Sequence, residues 1–144
     1  MFYESSDLII RPYRTGDEPS LAFYSNNKQI AAQMPAWFPS PFTYDDALVW
    51  VADNLQGNSN FPIIYYGDVI GNIGLRNING SSAEIVVWLG PDFWNKGIGT
   101  RACQWMADFA KAELKISKLS ASIKSGNVVA ERIAERQGIT RNEI

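Results

Sequence analysis

Between residues 63 and 89 the chain carries three apolar runs separated by joints too short to hold a helix. The runs are 63–66, 69–76 and 84–89, and the joints are Gly67-Asp68 and Asn79-Gly80-Ser81-Ser82. Joints of this length and turn chemistry connect antiparallel neighbours, because a parallel return needs a dozen or more residues. The spacing therefore predicts an antiparallel meander, around which the rest of the chain must pack.

On both sides of the meander the apolar period is mostly helical. Asp17 stands where a cap would open a helix through Phe23 and Tyr24, with Pro19 in its first turn. A segment dense in proline and aromatics, 34–42, comes next. Thr43 then starts a second helix, with Ala47, Leu48, Val51 and Leu55 at helical spacing. Beyond Gly90-Pro91, one stripe joins Ile98, Ala102, Trp105, Met106, Phe109 and Ala110. Residues 119–123 read as a strand. Asn127 caps a last helix that carries Val129, Ala130, Ile133 and Ala134 on one face and stops at Gly138. A first strand at 8–10 ends before Pro12. The order β-α-α-β-β-β-α-β-α predicts a single α+β domain over 1–144, with a mixed sheet and helices on its faces.

Composition narrows the function. The 144 residues carry 13 Lys and Arg against 15 Asp and Glu, a net charge of −2, which gives no field for nucleic acid. There is no His, so histidine triads and the commonest metal ligand are excluded, and no metal is expected. Cys103 is the only cysteine, which rules out a disulfide or thiolate cluster within the chain. No stretch approaches the ~20 apolar residues that span a bilayer. The acidic start MFYESSDL is unlike a signal peptide, so the expectation is a soluble cytoplasmic protein with no membrane partner.

The segment Trp94-Asn95-Lys96-Gly97-Ile98-Gly99-Thr100 lies between a strand and a helix. Its glycines let backbone N–H groups approach a ligand, and a helix N-terminus adds unpaired donors and partial positive charge. Pyrophosphate suits such a turn, with Lys96 and Arg101 adding full charges. A turn that merely redirects the chain has the same composition. A P-loop is excluded because Lys96 precedes Gly97. The dinucleotide fingerprint also fails: Gly90 to Lys96 separate the strand from Gly97, and residues 119–124 contain no acid.

Trp94-Asn95-Lys96-Gly97-Ile98-Gly99 resembles the Arg/Gln-x-x-Gly-x-Gly/Ala signature of the GCN5-related N-acetyltransferases (GNAT), in the branch of ribosomal-protein and spermidine N-acetyltransferases. A second block, from Asn127 through Arg132 and Glu135 to Gly138-Ile139, resembles the family's Asn-x-x-Ser-x-Arg-x-x-Glu-Lys-x-Gly-Phe. The segments Leu8-Ile9-Ile10-Arg11-Pro12 and Val69-Ile70-Gly71 to Leu75 match weaker positions, so the resemblance covers nearly the whole chain.

The resemblance implies acetyl-CoA as cofactor. The backbone of Val87, Trp88 and Leu89 would pair with the pantetheine arm. Trp94, Asn95, Lys96, Gly97, Ile98, Gly99 and Thr100 would form the pyrophosphate turn, and Asn127 would bond the pantetheine. It also implies that the strand before the signature splays from strand 119–123, with the acyl group in the gap. The implied activity is direct acetyl transfer to a primary amine, either a protein N-terminus or a small amine. A backbone N–H near Trp88 or Leu89 would polarise the carbonyl. Glu84 is the candidate base, acting through water, although a strand-end Glu is equally a solvated residue. Other branches place a Tyr where this chain has Ala134, so no acid is assigned. Trp37 and Phe38, with Asp45 and Asp46 to attract an ammonium, are candidate substrate contacts; the two acids equally suit the helix dipole. Cys103 reads as a packed thiol.

In one respect the pattern departs from the family, which continues for two more strands beyond the second block. Residues 139–144 leave room for one short strand at most, so the C-terminal strands are expected to be missing or truncated and strand 119–123 to keep an open edge. Two expectations follow: a homodimer that completes the sheet edge, or an impaired enzyme. Beside the transferase stand two other readings, a non-catalytic acyl-CoA-binding module and a structural domain whose glycine turn binds nothing.

Overall fold

Tight turns set the sheet. Tyr66 and Gly67 both take positive φ, 47° and 90°, the two-residue geometry whose twist matches antiparallel strands. They join β3 (Asn60–Tyr65) to β4 (Asp68–Asn79), and Gly80, at φ 62°, helps turn β4 into β5 (Ser82–Leu89). The computed structural model describes residues 2–57, 59–124 and 127–143; the side chains of Val128, Val129 and Glu143, and so the expected place of Val129, lie outside the described residues.

The remaining strands are β1 (Tyr3–Glu4), β2 (Leu8–Ile10), β6 (Lys118–Ile123) and β7 (Thr140–Glu143). The helices are α1 (Glu18–Ser25), α2 (Lys28–Gln33), α3 (Tyr44–Asp53), α4 (Ile98–Leu114) and α5 (Val128–Gln137). One sheet runs β1-β2-β3-β4-β5-β6-β7, antiparallel through β5, with β5–β6 and β6–β7 parallel. The mostly antiparallel mixed sheet matches the expected α+β class.

Strand alternation divides the core into two layers. Ile73, Leu75, Ile85 and Leu89 face the α4 stripe of Ile98, Ala102, Met106 and Phe109, with Ala134 of α5 beside it. Ile64, Val69, Val86 and Trp88 face the other way, onto Leu21, Ile30, Ala47, Val51 and the loop aromatics Phe38 and Phe42. Thr43 opens α3 with a capping box: its hydroxyl accepts from the Asp46 N–H at 3.1 Å, and Asp46 accepts from the Thr43 N–H at 2.8 Å. Gly138, at φ 66°, ends α5.

Four expectations change. Asp17 precedes α1 without capping it; its carboxylate takes the Arg11 guanidinium at 2.9 Å and the Arg14 N–H at 2.9 Å. Leu48 and Leu55, expected on the buried face of the second helix, are exposed, and Leu55 falls after its end. The sequence reading omits β1 and α2, each too short for periodicity to register; α2 buries only Ile30, while β7 is the one short strand for which residues 139–144 leave room. Finally, the outer edge of β6 is not open, because Ser120 to Ile123 pair in parallel with Thr140 to Glu143.

Candidate active site

The parallel pairing of β5 with β6 covers Ser82, Ala83 and Glu84 and then stops. Past Glu84 the two strands run on apart, β5 to Leu89 and β6 to Ile123. The resulting cleft has a volume of about 410 Å³ and passes through the sheet. Residues 85–89 and 121–123 form its sides. Met34, Pro35 and Trp37 close one face, while Gly99 and Cys103 of α4 and Ala130, Ile133 and Ala134 of α5 close the other.

Strand alternation decides which backbone groups face this gap. The Gly90 N–H donates to the Ile70 carbonyl at 2.9 Å, so Gly71 and Leu89 form a pair whose own N–H and C=O point away from each other. Leu89 therefore turns its groups toward the cleft, and Val87, two residues earlier, does the same. The Leu89 carbonyl accepts from Trp94 Nε1 at 2.9 Å. The Leu89 N–H and both groups of Val87 have no strand opposite them. Trp88 corrects the expectation: its backbone is turned to β4, and its indole is buried with Nε1 donating to Ser25 Oγ at 2.8 Å. The backbone N–H groups turned to the cleft at this end of β5 are those of Val87 and Leu89.

The glycine turn sits at the mouth of the same cleft. Asn95 and Gly97 take φ of 62° and 77°, and Arg101 makes the first helical bond, to the Gly97 carbonyl at 3.0 Å. Among the described residues, the six amides 95–100 donate to no group of the chain. A Cβ on Gly99 would stand 3.6 Å from both Leu89 and Ile133, in space that the glycine leaves free. Ile98 is buried and anchors the turn to the core, while Lys96 is exposed beside it. Arg101 is a correction. Its guanidinium pairs with Asp7 at 2.9 Å and donates to Tyr3 OH and Ser5 Oγ. The bond from Arg101 holds the Asp7 carboxyl well below the usual carboxylate range, and Asp7 with Tyr3 raises the guanidinium in turn. That charge is committed to β1 and to the segment between β1 and β2, away from the turn.

Asn127 lines the cleft while its side-chain oxygen accepts from the Ala130 N–H at 3.3 Å, which leaves its amide nitrogen as a donor. Glu84 stands where the strands part and is the single charged residue among the described lining. Its oxygens accept from Ser122 Oγ at 3.1 Å and Asn77 Nδ2 at 3.5 Å. Burial pushes the Cys103 thiol up to about 12, so it is inert at neutral pH. Ala134 brings no hydroxyl to the wall.

The expected substrate contacts divide. Trp37 lines the cleft. Phe38 does not, because it is buried against Trp88 at 5.0 Å and Phe42 at 5.4 Å. Asp45 is exposed on the first turn of α3, away from the cleft, and Asp46 is engaged in the capping box. Sequence reasoning missed Ser122 and Arg76. Arg76 pairs across β4 and β5 with Glu84 and holds its guanidinium 4.6 Å from the Trp37 ring centroid. The register of the predicted meander was the available signal.

A family model described as "Acetyltransferase (GNAT) domain" matches residues 7–140. A GNAT-family acetyltransferase from Bacillus anthracis superposes with a TM-score of 0.81 at 26% identity, over 96% of this chain and 82% of its own. The ribosomal-protein-S5-alanine acetyltransferase of Vibrio fischeri gives 0.80 at 18%, with the same coverage of 96% and 82%. Spermidine N-acetyltransferase from Vibrio cholerae, in complex with CoA and spermine, gives 0.76 at 23%, over 93% and 81%. With its forked sheet, its unbonded glycine turn and a family match over almost its whole length, the chain belongs to the GNAT acetyltransferase family.

Proposed function

We propose that the chain is an acetyl-CoA-dependent N-acetyltransferase, a single-domain cytoplasmic enzyme that acts on a primary amine by direct transfer in a ternary complex. One observation carries the reading: the six unbonded amides 95–100 and the unpaired groups of Val87 and Leu89 open onto one cleft that ends at Glu84. The donor set fits the cofactor. Amides of Asn95 through Thr100 would hold the diphosphate at the N-terminus of α4, with Lys96 nearby. Val87, Leu89 and the Asn127 amide would bond the pantetheine amides as a strand would. Gly99 leaves the passage clear. The Vibrio cholerae relative, solved with CoA, supports the same use here.

Acetyl-CoA supplies an acyl thioester, whose C–S bond breaks as the amine's N–C bond forms, with one proton lost by the amine and one gained by the thiolate. The N–H of Leu89 or Val87 stabilises negative charge on the carbonyl oxygen. Glu84 takes the amine proton through water, its carboxylate oriented by Ser122. Solvent supplies the proton for the thiolate, since Ala134 cannot. The same Ala134 favours the second reading, a module that binds acyl-CoA without turnover.

Thiol release from acetyl-CoA, followed across a panel of amines, separates the two. The transferase gives amine-dependent release and an acetylated product, and Glu84→Gln lowers kcat about 10²-fold. Saturable CoA binding with no amine-dependent release establishes the module instead.

A further inference from the structure

Where β5 and β6 part, Glu84 on the cleft lining and Arg76 beside it, outside that lining, carry opposite charges that do not meet. Arg76 and Glu84 are direct neighbours across β4 and β5, where side chains of opposite sign ordinarily pair. Glu84 instead turns to Ser122 and Asn77. Arg76 lies over the Trp37 ring, 4.6 Å from its centroid, and makes no ion pair among the described residues. Trp37 is itself held parallel to Trp50, at 6.3 Å and 2°. Trp50 in turn donates to Asn72, which is wholly buried and also accepts from Tyr13 OH at 2.7 Å. The platform under Arg76 is thus fixed from the core outward. A guanidinium bound through its face keeps its in-plane N–H fork, the geometry that matches a carboxylate or phosphate.

Resting on the transferase reading, we propose that the acceptor is a small primary amine bearing an anionic group a few bonds from its nitrogen, with the ammonium at Glu84 and the anion at Arg76. A polyamine fits this end poorly. It would place further positive charge beside Arg76, and no second carboxylate lines the cleft. The mostly apolar remainder of the lining strengthens the Glu84 contact by excluding water. Arg76 is then a specificity-determining residue that takes no part in the proton transfers.

Calorimetric titration of the protein, with and without CoA, against L-alanine, phosphoethanolamine, spermidine and butylamine tests this. The first two separate a carboxylate from a phosphate ligand. One or both should bind at least about tenfold more tightly than butylamine. Arg76→Gln should remove most of that advantage and Arg76→Lys should retain part of it, while butylamine affinity stays within about twofold. Arg76 is partly exposed, so melting temperatures of both variants should match the parent. Spermidine or butylamine binding as tightly as the anionic amines overturns the proposal, as does no saturable heat from either anionic amine. Equal weakening of every amine by Arg76→Gln does so too. Thiol release measured in parallel keeps the two conclusions apart. Anionic amines that bind while no amine of the panel is acetylated overturn the transferase and leave the recognition standing. Turnover confined to other amines overturns the recognition alone.

Discussion

At the scale of single residues, the cleft is shaped as much by what is missing as by what is present. Gly99 is the clearest case, because the nearest atoms to an added Cβ are at an ordinary contact distance of 3.6 Å. Gly99→Val should therefore fold, and a branched residue costs no helix propensity relative to glycine. Its methyl groups would occupy the passage between Leu89 and Ile133 and lower CoA affinity by about tenfold or more, read by titration of tryptophan fluorescence. Cys103 lines the same cleft but behaves as core. Burial lifts its thiol from 9.0 to about 12. The folded state thus holds a proton that the unfolded state releases, and this residue's contribution to stability is level below pH 9 and falls as pH rises from 9 to about 12. Modification by a thiol reagent at pH 8 should be slow in the native protein and prompt in denaturant.

At the scale of elements, legibility followed length and period. The meander, the α4 stripe and the capping signals at Thr43 and Asn127 were readable because each repeats a periodic or turn pattern over enough residues. β1 and α2 were not. β1 has two residues and owes its place to Arg101, 94 positions from Asp7, a tie that no local pattern reveals. The same tie takes Arg101 from the phosphate turn, where sequence adjacency puts it: its side chain reaches Tyr3 of β1 and Ser5 and Asp7 between β1 and β2. The fork was legible only through the family resemblance, since pairing that stops at Glu84 leaves no mark in composition. The Asp7 pair gives a pH-dependent test. Because Arg101 depresses the Asp7 carboxyl, the stability it contributes is present above its ordinary value of 3.8 and is lost as pH falls below it. Asp7→Asn should lower the melting temperature at pH 7, and the gap to the parent should shrink progressively below pH 3.8, as thermal unfolding across pH would record.

At the scale of the whole molecule, the proposed function places three kinds of recognition along one channel. The helix terminus with its bare amides stands at one end, the unpaired edge of β5 runs through the middle, and Glu84 lies at the other, with Arg76 beside it. No helix among the described residues is long and apolar enough to cross a membrane. The most direct test of the central claim is ¹⁵N–¹H NMR of the backbone amides during titration with CoA. The account predicts saturable shifts centred on Asn95 through Thr100, accompanied by Val87 and Leu89. Saturation with those amides unmoved, or no saturable change by about millimolar CoA, would contradict it.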